Sequence, residues 1–125
     1  VEFIDSMPKD EIFKYILSSD VGISILQKNK VFKTIYSNKT FDYMSCKKPV
    51  IMCIDGVSRE LIEDSNSGFY IDPDDYISFS RKINQLIEDK KLCSDLGENG
   101  FRYVKKHFDR NSLSNKYLKK IKDIV

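Results

Sequence analysis

The sequence predicts an α/β domain built on a mostly parallel sheet. Short apolar runs at Val1–Asp5, Val21–Leu26, Pro49–Ile54 and Phe69–Ile71 alternate with segments of helical period. From Asp74 onward the pattern is helical only. Strands that alternate with helices select a layered fold with crossover connections, here followed by a helical tail.

Val1–Asp5 reads as a first strand, and Pro8 suits entry into a helix over Asp10–Leu17, where Ile12, Phe13, Ile16 and Leu17 form one stripe. The near-continuous apolarity of Val21–Leu26 suits a parallel strand covered on both faces. Residues 27–38 lack a clear period and read as a long loop, a common place for function. A short helix over Lys39–Cys46 follows, and Pro49 introduces the third strand, which Gly56 ends. Ser58 is a suitable N-cap for a short helix to Asp64, and Asn66-Ser67-Gly68 is a turn before the fourth strand. Two amphipathic helices follow, the second weakened in its middle by Gly97 and Gly100. Asn111 or Ser112 caps a last helix carrying Leu113, Tyr117, Leu118 and Ile121.

With 125 residues the chain has the size of one domain, and because it starts at Val1 within a strand-like run, it reads as part of a longer protein. A hydrophobic content of 41% and charged content of 32% describe an ordinary globular composition. No run approaches the roughly 18 apolar residues of a membrane span. The net charge of +2 is too small to argue for nucleic acid as a partner. Lysines 105, 106, 116, 119, 120 and 122 gather near the C-terminus, as a solvated helix face or a surface for peripheral association with anionic lipid. Cys46, Cys53 and Cys93 show no C-x-x-C spacing, which argues against a disulfide framework or zinc site and fits packing in a reducing cytoplasm.

In open parallel sheets ligands bind beyond the carboxyl ends of the strands, which puts Ser6–Lys9, residues 27–38, Asp55–Ser58 and Asp72–Asp75 in view. A helix starting near Ser37–Thr40 offers free N–H groups and a positive dipole end to phosphate, with Lys39 beside them. Equally, Ser37 or Asn38 serves as a cap and Lys39 is solvated. Asp42, three residues after Lys39, can accept hydrogen bonds from a vicinal diol such as ribose, or simply sit well near a helix N-terminus. His107 is the only histidine, which leaves a Ser-His-Asp or metal mechanism without support, and it reads as exposed or capping. Glycine-rich phosphate loops are absent, although the Asp55-Gly56 turn offers a second weak anion contact.

The succession from Phe41 to Ile51, FDYMSCKKPVI, with Val57–Ile62 and Ser67-Gly68 behind it, resembles the C-terminal nucleotide-sugar-binding domain of family-4 glycosyltransferases. These are retaining enzymes of the Rossmann-like GT-B fold, common in bacterial surface-polysaccharide assembly. Pro8–Ile12, Ser19–Ile23, Leu96–Gly100 and Val104–Phe108 extend the resemblance over nearly the whole chain. It implies a nucleotide-sugar donor, of the UDP-sugar type, no cofactor and no metal. Ser37, Asn38, Lys39 and Thr40 would meet the diphosphate or sugar, Asp42 the ribose, and the Met7–Pro8 loop would lie near the base. The family's other acidic residue would fall eight positions before Asp42, at Thr34, so that carboxylate is missing here. Lys47 and Asp5 stand where glycines are usual, and the family's Arg/Lys phosphate pair would precede Val1.

The resemblance implies a transferase of hexosyl or N-acetylhexosaminyl type, cytoplasmic or at the inner face of the plasma membrane. A sugar or lipid-linked acceptor would be held by an N-terminal domain outside this chain, without which the chain would be inactive. A noncatalytic nucleotide-binding or interaction module and a GT-B sugar-nucleotide epimerase are the alternatives. In the doubly wound order 3-2-1-4-5-6, Val1–Asp5 would be strand three and lack its neighbours. The expectation is that it moves beside Val21–Leu26 or pairs with another chain in a strand-exchanged oligomer.

Overall fold

The computed structural model describes residues 1–124. In chain order they form α1 (Lys9–Ser18), β1 (Gly22–Ile25), a 3-10 turn (Val31–Thr34), α2 (Asn38–Ser45), β2 (Val50–Cys53), α3 (Val57–Ser65), β3 (Gly68–Tyr70), α4 (Tyr76–Glu88), α5 (Lys90–His107) and α6 (Arg110–Ile124). The sheet is parallel throughout, in the order β1-β2-β3, with Ile23 opposite Ile51 and Ile51 opposite Phe69. This architecture agrees with the α/β reading.

Strand β2 is the centre of the molecule because all four of its residues are buried. Their side chains alternate, as the strand period of two requires. Val50 and Met52 pack with Met44 of α2, Leu61 and Ile62 of α3 and Val104 of α5. Ile51 and Cys53 face the other layer, where they meet Ile71, Leu86 of α4 and Leu96 of α5. Helix α5 thus contributes to both layers and clamps the sheet from one end.

Both helices beside β2 end in the same way. After α2, Lys48 N–H donates to Tyr43 O and Lys47 N–H to Met44 O; after α3, Ser67 N–H donates to Ile62 O and Asn66 N–H to Glu63 O. These are Schellman pairs, which need a left-handed residue at the stop. Lys47 (φ 56°) and Asn66 (φ 45°) supply it. The glycine expected at position 47 on grounds of resemblance is therefore a conformational requirement that lysine meets under strain. Gly97 and Gly100, which look like weak points of α5, are places of close approach. A Cβ on Gly97 would collide with the Lys47 carbonyl, and one on Gly100 would press on Ser67 and Met44.

Several expectations are corrected. Residues 1–8 form no regular element, so the described residues hold three strands and not four, and Val1–Asp5 has not moved beside β1. A five-residue apolar run gains nothing as a strand without a partner for its backbone. Strand β1 is not covered on both faces: Ile23 and Ile25 are 37% and 48% exposed at the open edge of the sheet, while Gly22 and Ser24 are buried. The long loop contains the 3-10 turn. Ser58 lies inside α3, whose N-cap is Gly56 at φ 84°, a conformation that suits only glycine. Asp109, not Asn111 or Ser112, caps α6, through a 2.8 Å bond from Ser112 N–H.

Gly97→Ala should destabilise the fold by about 1–3 kcal/mol, the range for overpacking a tight contact. Urea unfolding followed by circular dichroism would measure it. A neutral result would mean that α5 does not rest on the Lys47 turn.

Candidate functional site

The start of α2 is held by a chain of hydroxyl groups. Thr40 Oγ1 donates to Ser24 Oγ at 3.1 Å, and Ser24 Oγ donates to Ser37 Oγ at 3.0 Å. Ser37 N–H in turn donates to Ser58 Oγ at 3.4 Å, and Ser58 Oγ donates to Ile35 O at 3.0 Å. Ser24, Thr40 and Ser58 are fully buried, so these bonds form where water cannot compete. They tie the end of the long loop to β1 on one side and α3 on the other.

Two hollows result. A groove of about 550 Å³ runs between α2, α5 and the start of α6. Asn38, Asp42, Phe41 and Lys9 line one side and Phe101, Phe108 and Arg110 the other. Asp42 is paired there with Lys9 at 3.3 Å, leaving its carboxylate partly accessible. Phe41 and Phe108 pack with their rings tilted and their centres 4.9 Å apart, and Tyr36 meets both edge-on.

A smaller cavity, about 30 Å³, lies where the three strands end. Its floor is Leu26, Phe32, Ile54 and Tyr70, and its rim carries ion pairs. Lys33 Nζ is 2.6 Å from Asp55, Lys28 Nζ is 3.1 Å from Asp72, and the Arg59 guanidinium lies 4.4 Å above the Tyr70 ring. The Lys33 hydrogen bond, then one from Gly56 N–H, holds the Asp55 carboxyl below its ordinary value. Burial pushes the Cys53 thiol up, in keeping with a packing role. Among the described residues no group of three or more His, Cys, Asp or Glu side chains could hold a metal.

The structure separates the residues singled out in the sequence. Asp42 and Asn38 face the groove, and Lys39 is exposed on the same turn. The side chains of Ser37 and Thr40 are turned inward into the hydroxyl chain. Pro8 is the N-cap of α1, and Met7 lies beside it against Ile12 and Tyr15 in a third hollow. Thr34 bonds back to Val31 O within its own turn. Lys9 closes the Ser6–Lys9 segment that the sequence puts in view, but nothing there gives its side chain a role. A lysine at the first position of a helix opposes the helix dipole, and that oddity was the available signal. Phe101, Phe108 and Arg110 reach the groove only through tertiary packing.

The family described as Glycosyl transferases group 1 matches residues 1–103. The chain belongs to this family. Among relatives of this group 1 glycosyltransferase chain, the putative glycosyltransferase EpsD of Bacillus subtilis (strain 168) is 37% identical over 57 residues, which cover 46% of this chain and 15% of EpsD. Sucrose-phosphate synthase from Thermosynechococcus elongatus shares the fold with a TM-score of 0.84 at 16% identity, over 98% of this chain and 30% of that one. HepE of Anabaena, solved in complex with UDP, gives 0.77 at 19% identity over 88% of this chain and 29% of its own. The C-terminal domain of LpcC from Francisella tularensis gives 0.69 at 24% identity over 88% of this chain and 53% of its own. The group 1 glycosyltransferase chain therefore spans a minor part of the length of EpsD and about a third of sucrose-phosphate synthase, and its fold is that of the C-terminal domain of GT-B enzymes.

Ser24→Ala should cost this glycosyltransferase chain about 1–3 kcal/mol by orphaning the buried Thr40 hydroxyl, and adding Thr40→Val should recover part of that loss. Strict additivity in urea unfolding would remove the hydroxyl chain from the account. For Asp55 the native carboxyl pKa lies below 3.8, so its contribution to stability is present above that pH and is lost as the pH falls through the depressed value. A carboxyl ¹³C titration should show the low midpoint, and Lys33→Met should move it up.

Proposed function

We propose that this chain is the donor-binding part of a retaining family-4 glycosyltransferase, which moves a sugar from a UDP-sugar to an acceptor in cell-surface polysaccharide synthesis. On this reading residues 1–125 form the C-terminal part of the nucleotide-sugar-binding domain. A separate N-terminal domain holds the acceptor, a sugar or lipid-linked saccharide. One observation carries the reading: Asp42, Asn38 and Lys9, all within the residues matched by the family, line one side of an aromatic groove, with Asp42 and Lys9 paired. The HepE complexes with UDP and UDP-glucose support the choice of donor, as proteins of the same fold.

In the donor complex Asp42 exchanges its Lys9 partner for the ribose hydroxyls, which its carboxylate accepts as a bidentate pair. Lys9, Lys39 and the N–H groups of residues 38 and 39 then face the diphosphate, with Met7 and Pro8 towards the base. Transfer breaks the bond from the sugar's anomeric carbon to the diphosphate oxygen and forms one to the acceptor oxygen on the same face. The acceptor's proton is lost, and the negative charge gathers on the departing diphosphate. Fixed positive groups at that position stabilise the transition state more than the ground state. The Ser24–Thr40–Ser37 chain holds the turn without touching the donor.

Calorimetric titration of the full-length protein with UDP tests this. Asp42→Ala should weaken UDP by roughly tenfold or more, as expected when a charged acceptor worth about 1.5–3 kcal/mol is removed. Absence of binding by both UDP and GDP would sink the proposal. Release of UDP only when a lipid-linked acceptor is supplied separates a transferase from an epimerase, which needs no acceptor.

A further inference from the structure

We propose that Asp55 is a specificity-determining residue of the donor site, where it accepts a hydrogen bond from a hydroxyl of the transferred sugar. The inference rests on the UDP-sugar reading above and concerns the half of the donor that Asp42 does not meet.

Among the described residues that line the cavity at the strand ends, Asp55 is the only acid. Two contacts fix its place. Its Oδ2 accepts from Lys33 Nζ at 2.6 Å, and the Gly56 turn beside it lies so close to the Lys33 backbone that a Cβ would collide. A carboxylate has about four acceptor sites, of which Lys33 and the Gly56 N–H take two. Arg59 stands 3.8 Å from Oδ1, beyond hydrogen-bond reach, so acceptor capacity is left at the rim of the cavity. Asp72, the carboxylate at the end of the next strand, has both oxygens engaged, one by Asp74 N–H and the other by Lys28. Because Lys33 and Gly56 hold the Asp55 carboxyl below its ordinary pKa, it is ionised at neutral pH and can only accept. A sugar hydroxyl supplies the donor.

The shape of a nucleotide sugar brings that hydroxyl here. The molecule is linear, with the diphosphate between the ribose and the sugar. On the donor reading the ribose lies against Asp42, on the side of α2 where Lys9 of α1 stands, and the diphosphate lies at the start of α2. The sugar then continues past that start on the other side, which belongs to α3. Ser37 N–H donates there to Ser58 Oγ, Ser58 Oγ donates to Ile35 O, and Ser58 is in the first turn of the helix that Asp55 leads into. Thr34, on the turn between, carries no charge, and its hydroxyl bonds back to Val31 O.

Calorimetric titration of the full-length protein with UDP, UDP-glucose and UDP-N-acetylglucosamine tests the inference. Asp55→Asn should leave UDP within about twofold of the parent and weaken at least one of the sugar nucleotides roughly tenfold, as expected for loss of a charged acceptor. Lys33→Met breaks the same ion pair but keeps the carboxylate, and should retain most of the sugar nucleotide's affinity. An equal loss for UDP and the sugar nucleotides would overturn the proposal, since Asp55 would then only support the fold. So would a loss in Lys33→Met as large as that in Asp55→Asn. A parent that does not bind UDP removes the donor reading itself, whereas UDP binding with indifference of both sugar nucleotides to Asp55→Asn removes this inference alone.

Discussion

Four hydroxyl groups fix where α2 begins, and the rest of the site depends on that point. Ser24 receives the proton of Thr40 and gives its own to Ser37, while Ser58 receives Ser37 N–H and gives to Ile35. Ser24 and Ser58 each both donate and accept, while Thr40 Oγ1 donates and Ser37 Oγ accepts, so all four hydroxyls are engaged. Among the described residues no buried side-chain nitrogen or oxygen lacks a partner. A chain of this kind favours one register for the loop, because a slip leaves at least one buried hydroxyl unpaired. The first turn of α2 is consequently rigid while its outward face stays free for a ligand.

That outward face is electrostatically prepared. Lys9 and Asp42 are a half-exposed pair and contribute little to stability. On the proposed function that weakness is useful, since a ligand that supplies hydroxyls to Asp42 and negative charge to Lys9 separates them at small cost. At the strand ends, by contrast, Lys33, Asp55 and Arg59 gather around a small cavity. The Gly56 turn packs directly on the Lys33 backbone, where a Cβ would collide. On the proposed function the binding surface lies at α2 and the approach from α1.

The supporting layer is set by backbone contacts more than by side chains. Lys47 holds a left-handed turn, its carbonyl meets Gly97, and its ammonium reaches Glu98 at 2.9 Å. One turn therefore joins the end of α2, the entry to β2 and the middle of α5. Strain at Lys47 is tolerated because these neighbours over-determine its conformation.

The local pattern of the chain determined the strand–helix alternation and the helical tail, because periods of two and of about 3.6 are written in adjacent residues. It also marked Asn38, Lys39 and Asp42 as a coherent turn, since a helix start with a carboxylate one turn in has a readable signature. What it could not decide was the fate of Val1–Asp5, the exposure of Ile23 and Ile25, or the role of Ser58. A strand exists only with a neighbour, and burial and hydroxyl partners depend on residues far away in sequence. The meeting of Lys9 with Asp42, and of both with Phe108 and Arg110, is likewise a product of packing between α1, α2, α5 and α6. Sequence named the turn; the tertiary structure decided which of its side chains face inward to hold it and which remain free to bind.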